Sequence, residues 1–219
     1  MGDQRTYHKR DCCTSKKIGF VYVALATNGT IDIDYGKVDF ILISVDGSPE
    51  IHDSIRGTSY QKIIENIRKN PSDNKFIFME INRINKNEIS SVCELARDET
   101  NIKAVSFNFH TPYVGTEALS LSVSEKEECC KEIENLIKKK VPVFNLKSVF
   151  PYLVHNSFPT PCHQCVVVEN GKVWTCGRCI DVPGLCDQCV YFFAAENALL
   201  FQGNINVIFD MLKTYLKYI

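Results

Sequence analysis

Blocks of apolar and polar positions alternate along the first two thirds of the chain and predict strands and helices in turn. Short apolar runs rich in β-forming residues predict strands at residues 19–26, 38–45, 75–81 and 103–109. Apolar residues at helical spacing predict helices at 60–69, 87–98 and 124–140. Since parallel neighbouring strands need crossover connections, this order predicts an α/β fold with a parallel sheet.

Two local signals mark where elements begin and end. Ser124, followed three residues later by Glu127, predicts a capping box at the start of the last of these helices. Near the end of the chain, residues 196–219 have an apolar helical face that is interrupted around Gly203. The chain therefore divides into an irregular leader (1–18), an α/β unit (19–157), a cysteine-rich module (158–192) and a C-terminal helical segment (193–219).

Composition narrows the classes of partner. The chain has 219 residues, of which 45% are hydrophobic, so it can bury a sizeable core. Its 25 basic and 26 acidic residues give a formal net charge of −1, which offers no electrostatic case for nucleic acid or for a membrane surface. The apolar runs are too short to span a bilayer, and no secretory signal is visible. These features predict a cytoplasmic protein.

Cysteine spacing supplies the strongest chemical signal. Six of the eleven cysteines form three CxxC units with the spacing C-x2-C-x10-C-x2-C-x6-C-x2-C. A CxxC turn places two sulfurs on one side of the backbone, as a tetrahedral zinc or an iron–sulfur cluster requires. The alternative is reduced thiols that only pack. Spacing alone leaves zinc and iron–sulfur open, and the predicted metal ligands are Cys162, Cys165, Cys176, Cys179, Cys186 and Cys189.

Three segments carry a resemblance to a known family. SVDGSPEIHDSIRGTSYQKIIENIRK (residues 44–69) resembles the stretch after the fourth barrel strand of radical S-adenosylmethionine (SAM) enzymes of the peptide- and cofactor-maturase type. ATNGT (26–30) resembles the end of their third strand. GKVWTCGRCIDVPGLCDQC (171–189) is similar to a shortened form of their SPASM/twitch-like auxiliary-cluster domain, in which a Gly-x4-Cys step leads into paired CxxC-like units.

This resemblance implies an incomplete parallel (βα) barrel of about four strands and an auxiliary 4Fe–4S cluster, with zinc as the alternative metal. It also implies that SAM binds at the carboxyl ends of the strands. Asn28 would face that crevice, Ser44 and Asp46 would lie near the SAM ribose and amino group, and Arg56 would reach the SAM carboxylate. The alternative is an ordinary turn at Asp46 and a surface ion pair between Asp53 and Arg56.

The sequence also departs from the family pattern. The CxxxCxxC loop that holds the SAM-cleaving cluster is absent, as is the glycine-rich loop after the second strand, and the alternation begins at what would be strand three. Without that cluster, reductive cleavage of SAM has no electron source. The first function is therefore a truncated radical-SAM-like iron–sulfur protein, whose parent activity is radical modification of a peptide or small metabolite. The second is a non-catalytic iron–sulfur or zinc protein acting as electron carrier, scaffold or partner subunit.

Two further expectations concern the edge and the end of the sheet. The first predicted strand would be an unpaired apolar edge, which predicts a protein partner, self-association, or coverage by residues 1–17. His110 follows the last predicted strand, and we interpret it as a structural histidine, with a substrate contact as the alternative. Glu80 and Asn82 close the preceding strand and are expected to face the same cavity.

Overall fold

A computed structural model describes residues 14–20, 22–31, 38–72, 74–160, 165–169, 171–176 and 182–218. Within these residues the strands are β1 (Ala24–Thr27), β2 (Phe40–Ser44), β3 (Lys75–Ile81), β4 (Ile102–Phe109), β5 (Val166–Glu169) and β6 (Lys172–Thr175). The α-helices are α1 (Pro49–Arg56), α2 (Tyr60–Lys69), α3 (Ile89–Asp98), α4 (Val123–Lys138), α5 (Phe150–Val154), α6 (Phe192–Phe201) and α7 (Ile205–Tyr218).

The main sheet has the order β1-β2-β3-β4, and every neighbouring pair is parallel. Ile43 of β2 is in register with Ile77 of β3, which is in register with Val105 of β4. Beyond β4, Val143 forms a parallel bridge to Val105, and the Phe144 N–H donates to the Val105 carbonyl over 2.8 Å. The predicted α/β class with a parallel sheet is confirmed, and the segment around Val143 adds the start of a fifth position that the sequence pattern did not predict.

The two faces of this sheet differ in chemistry. One face is aliphatic and packs against the layer formed by α2, α3 and α4. The other, which we call the α7 face, is aromatic near the amino ends of the strands, where Tyr215 and Tyr218 of α7 lie against Phe144 at ring-centroid distances of 5.4 and 6.3 Å. Towards the carboxyl ends it becomes polar. Its residues on β2 to β4 are Phe40, Leu42, Ser44, Phe76, Phe78, Glu80, Ala104, Ser106 and Asn108.

Polar contacts fix α6 and α7 onto β4 and onto the segment around residues 146–148. The Phe192 N–H donates to Asn108 Oδ1 over 3.0 Å, and the Leu146 N–H donates to Glu196 Oε1 over 3.1 Å. Burial raises the pKa of Glu196 to about 7. Asp210 of α7 accepts hydrogen bonds from the backbone and side chain of Ser148, both at 2.9 Å. None of the described helices is long and apolar enough to cross a membrane.

Several element boundaries differ from those expected. Helix α1 was not predicted, because the Asp-Gly-Ser-Pro run at residues 46–49 is typical of a turn. Pro49 instead occupies the first turn of a helix, where its missing N–H costs nothing. The predicted capping box at Ser124 and Glu127 is wrong. The box forms one S-x-x-E pattern earlier: Ser122 Oγ accepts from the Glu125 N–H over 3.3 Å, and Glu125 Oε2 accepts from the Ser122 N–H over 2.8 Å. The predicted break at Gly203, whose φ is 74°, is confirmed.

The β1 end of the sheet leaves apolar surface uncovered. Alternate residues of β1 are exposed, and the side chains of Phe20 and Tyr22 are 60% and 46% exposed. Lys16 forms an ion pair of 2.6 Å with Asp39, just before β2. Association or coverage at this edge stays a prediction.

Gly29, directly after β1, is a position where a side chain should not fit. Its φ is +70°, and an added Cβ would lie 2.8 Å from Ile43 Cγ2. Gly57 has a similar φ of +76°, but a Cβ there would meet nothing within 4 Å. We expect Gly57→Ala to lower the free energy of unfolding by about 1 kcal/mol through backbone strain alone. Gly29→Ala should lower it by about 2–4 kcal/mol, because steric overlap adds to the strain.

Urea unfolding followed by circular dichroism measures both variants. Equal losses at Gly29 and Gly57 would contradict the close packing of β1 against β2 at this point.

Candidate ligand crevice and cysteine module

Polar side chains gather at the carboxyl edge of the sheet, because all four strands end there. Ser44, Glu80 and Asn108 share the α7 face on three successive strands. Ser44 is half-buried and Asn108 is buried. Asn28, which follows β1, is exposed, and its Oδ1 accepts from the Thr30 N–H over 3.2 Å. Three of the four residues predicted to contact SAM (Asn28, Ser44 and Asp46) therefore follow or close adjacent strands at one edge.

The carboxylate of Asp46 lies at the centre of this cluster and is only 2% exposed. Its Oδ2 accepts from Arg56 Nε, and its Oδ1 accepts from the Glu80 N–H over 3.3 Å. The Asp46 carbonyl accepts from Asn85 Nδ2 over 3.1 Å. Asp46 thus joins the end of β2 to α1, to β3 and to the turn after β3.

Arg56 has N–H groups that the hydrogen bond to Asp46 does not use. Its side chain is one-third exposed, and the bond to Asp46 uses one of its five N–H groups. The expected alternative pair between Asp53 and Arg56 is not found among the described residues. Asp53 Oδ1 instead accepts from the N–H groups of Ser59 and Tyr60, each at 2.9 Å, at the start of α2. These backbone hydrogen bonds lower the pKa of Asp53.

The turn from β2 into α1 depends on a tight approach at Gly47. A Cβ on Gly47 would lie 2.9 Å from Glu88 Cγ, and Glu88 Oε2 accepts from the Ser48 N–H over 2.7 Å. The helix that follows places His52 and Arg56 four residues apart, on the same side. The His52 ring and the Arg56 guanidinium both form hydrogen bonds to Asp46, so the segment from residue 46 to residue 56 is held together by its own polar contacts.

His52 is fully buried and is neutral in this arrangement. Its Nδ1 accepts from the Asp46 N–H over 3.2 Å, so that nitrogen carries no proton. Its Nε2 lies 3.1 Å from Ser59 Oγ, whose own proton goes to the Gly57 carbonyl. Nε2 is therefore the donor. Burial lowers the pKa of His52; the Arg56 charge adds to this lowering, while Asp46 and Asp53 oppose it.

His110 closes the other side of the cluster. Its Nδ1 lies 2.7 Å from Glu80 Oε1, and its Nε2 lies 3.0 Å from Thr116 Oγ1. The Thr116 hydroxyl donates to the Tyr113 carbonyl over 2.9 Å, so it accepts from His110. Both ring nitrogens are thus engaged by the protein, as the structural interpretation of His110 requires. Glu80, with its side chain 40% exposed, is the group of this pair that reaches the open surface.

In the cysteine module, β5 and β6 form an antiparallel hairpin with Val166 opposite Thr175. The Cys176 N–H donates to the Cys165 carbonyl over 2.8 Å. Two cysteines that are eleven positions apart in sequence therefore sit side by side at the open end of the hairpin. Cys176 has a φ of +48°, an uncommon conformation for a residue with a side chain. The sequence signal for this hairpin was the Asn-Gly pair between two β-branched runs.

The next cysteine pair lies on a single turn. Cys186 begins a short 3-10 helix and Cys189 directly follows it, and the Cys189 N–H donates to the Cys186 carbonyl over 3.2 Å. The neighbouring Leu185 and Val190 are buried, which fixes this turn on the protein. Cys162 and Cys179 lie outside the described residues. Where the structure describes the chain, no three His, Cys, Asp or Glu side chains come together as a metal-binding group.

Three other cysteines belong to the helix layer. Cys93, Cys129 and Cys130 are buried there, and burial raises the pKa of each thiol to about 12. They remain protonated at neutral pH and behave as small apolar side chains.

His52 predicts a pH dependence of stability. In the unfolded chain His52 takes up a proton as pH falls through about 6.5, whereas in the folded protein it resists protonation. The free energy of unfolding therefore decreases below that pH and does not depend on His52 above it. We expect His52→Asn, whose side-chain oxygen can accept from the Asp46 N–H, to reduce this loss between about pH 6.5 and 5. His155→Asn is the control, because His155 is exposed.

Urea midpoints across that pH range measure the slope for each protein. An unchanged slope in His52→Asn would show that other groups govern stability below neutral pH.

A scan of protein-family models finds no match to this chain, and a search of curated proteins finds none either. Function is therefore inferred from the strand-end cluster and from the cysteines themselves.

Proposed function

We propose that this chain is a radical-SAM-like iron–sulfur protein whose cysteine module holds an auxiliary 4Fe–4S cluster. The observation that carries the proposal is the closure of the β5–β6 hairpin, which sets Cys165 beside Cys176. Each of these residues belongs to a different CxxC unit, so closing the hairpin brings one described cysteine of each unit to its open end.

The donor set suits a soft metal. Thiolates are the usual ligands of iron–sulfur clusters and of structural zinc, and four are enough for either. The left-handed backbone at Cys176 supports the same role, because strained conformations gather at ligand sites. Cys162, Cys165, Cys176 and Cys179 would supply the first four ligands, with Cys186 and Cys189 close by in sequence. The cluster, when bound, supplies one-electron chemistry.

In this proposal the four-stranded sheet is the incomplete barrel of the family, and SAM binds at its carboxyl edge. Arg56 has N–H groups left over after bonding to Asp46, and a guanidinium offers a planar fork to a carboxylate. Asp46, being buried with both oxygens engaged, would act mainly by holding Arg56 in position. Asn28 and Ser44 lie at the same edge, where Asn28 would face the crevice and Ser44 would lie near the ribose and amino group of SAM.

The chain is not expected to cleave SAM by itself, because its sequence has no CxxxCxxC loop to hold the SAM-cleaving cluster. Radical modification of a peptide or small metabolite, the activity of the parent family, would therefore require another source of that cluster.

The second function is a non-catalytic iron–sulfur or zinc protein that serves as an electron carrier, a scaffold or a partner subunit. It is favoured by the same missing loop, and by paired CxxC units that would equally well build a tetrahedral zinc site. Metal identity and SAM affinity together separate the two functions.

Anaerobic purification tests the metal. We expect a brown protein that absorbs broadly near about 400 nm and contains iron and sulfide. Replacing a ligand, as in Cys165→Ser or Cys176→Ser, should remove most of the absorbance and the iron, since serine is a poor ligand for a soft metal. Cys93→Ser is the matched control: Cys93 is a buried thiol of α3, and its loss should leave the iron content unchanged.

A colourless protein with stoichiometric zinc would favour the second function. A folded protein that binds neither metal would overturn both.

SAM binding tests the crevice. Arg56→Gln should weaken SAM binding at least about tenfold, because it removes a charged contact to the carboxylate worth about 1.4 kcal/mol or more. Arg68→Gln is the control. Arg68 also forms an ion pair, with Glu99, but it lies in the last turn of α2, away from the carboxyl ends of the strands. Isothermal titration calorimetry with SAM gives both affinities.

After chemical reduction with SAM, we expect no 5′-deoxyadenosine from this chain. Robust formation of that product would contradict the interpretation of the missing loop, and a lack of any SAM binding would remove the crevice from the proposal while leaving the metal site intact.

A further inference from the structure

Helix α7 carries a line of uncovered apolar side chains on the side away from its buried contacts. Val207 and Tyr218 are buried against the body of the protein. On the opposite side, the side chains that line up are exposed to a large extent: Ile205 by 57%, Phe209 by 57%, Leu212 by 47% and Leu216 by 88%. We call these four residues the α7 seam.

The spacing within the α7 seam is that of a helix-pairing surface. The steps between its members are four, three and four residues, which is the heptad pattern that keeps one line of side chains facing a neighbouring helix. Polar residues flank the line, including Asn206 and Lys213, both exposed. An amphipathic helix packed on one side has no need of this second apolar line for its own fold.

We infer that the α7 seam is the contact between two copies of this chain, paired about a twofold axis. A single helical line can meet its own copy, because a twofold axis places the same patch on both sides. At these exposures the four residues present roughly 500 Å² of apolar surface, which is the size of the largest patch on a typical monomer, and such patches are often functional. Pairing two copies would bury about 1,000 Å², the lower end of specific interfaces, so a weak, reversible dimer is expected.

Charge favours a second copy over a lipid surface. The formal net charge of −1 gives little repulsion between copies and no general attraction to anionic lipid. On α7 itself, Asp210 is bonded to Ser148, and two exposed lysines, Lys213 and Lys217, are far fewer than the basic clusters that recruit proteins to membranes.

Analytical ultracentrifugation of the full chain over a hundredfold range of concentration tests the inference. The wild type should shift from monomer towards twice the monomer mass. Leu216→Glu and Phe209→Glu should each weaken dimerisation at least about tenfold, by placing a charge in the apolar contact. Asn206→Glu adds the same charge to the same helix outside the seam and should dimerise like the wild type.

Leu216 is so exposed that its substitution should leave the circular dichroism spectrum and the metal content unchanged, which separates this test from that of the proposed function. A wild type that stays monomeric throughout would overturn the inference. So would a dimer that persists in both seam variants, which would point to the β1 edge, or a monomer that co-sediments with phosphatidylserine vesicles.

Discussion

The constraint on which the rest of this structure depends is the parallel pairing of four consecutive strands. Parallel order forces every connection to cross a face of the sheet, which creates the helix layer, and it brings every strand to an end at the same edge. Because side chains alternate along each strand, one face receives the aliphatic positions. The α7 face receives aromatic residues at its amino end and Ser44, Glu80 and Asn108 towards its carboxyl end. The position of the polar cluster is a consequence of that order.

The buried carboxylate of Asp46 connects the elements of the polar edge, and its burial would destabilise the fold if its oxygens lacked hydrogen-bond partners. A carboxyl group on a residue that is 2% exposed is tolerated because Arg56 and the Glu80 N–H satisfy its oxygens. Losing one partner of a fully buried ion pair typically costs about 3–5 kcal/mol, and losing Arg56, whose side chain is one-third exposed, should cost less. His52 adds to the order of this edge by accepting the Asp46 N–H. The contacts that stabilise the turn after β2 also fix the orientation of the Arg56 side chain, which is partly exposed.

Apolar surface is left uncovered at two neighbouring places, the β1 end of the sheet and the α7 seam. They are connected, since Tyr22, just before β1, contacts Tyr215 of α7 with ring centroids 5.9 Å apart. The cysteine hairpin adds a third, because Val166, Val168 and Val173 are each at least 65% exposed. Exposed apolar surface of this kind often marks sites of association, and association at each of these places is a prediction.

The sequence by itself determined the α/β class and the elements with strong local signals. The limits of β3 and α2 follow directly from apolar periodicity, because burial on one side dictates that spacing. Spacing alone singles out the six cysteines as candidate metal ligands, and their role stays a prediction.

Only the tertiary structure decided which side chains meet. The choice of Asp46 over Asp53 as the partner of Arg56 depends on the path of α1, a helix whose start at Pro49 looks locally like a turn. The pairing of His110 with Glu80 joins residues thirty positions apart, through the register of β3 with β4. The second apolar line of α7 is visible as a pattern in the sequence, but the sequence does not show that this line is exposed. A helix with two apolar sides can pack either one against the sheet, and only the tertiary structure shows which side is buried.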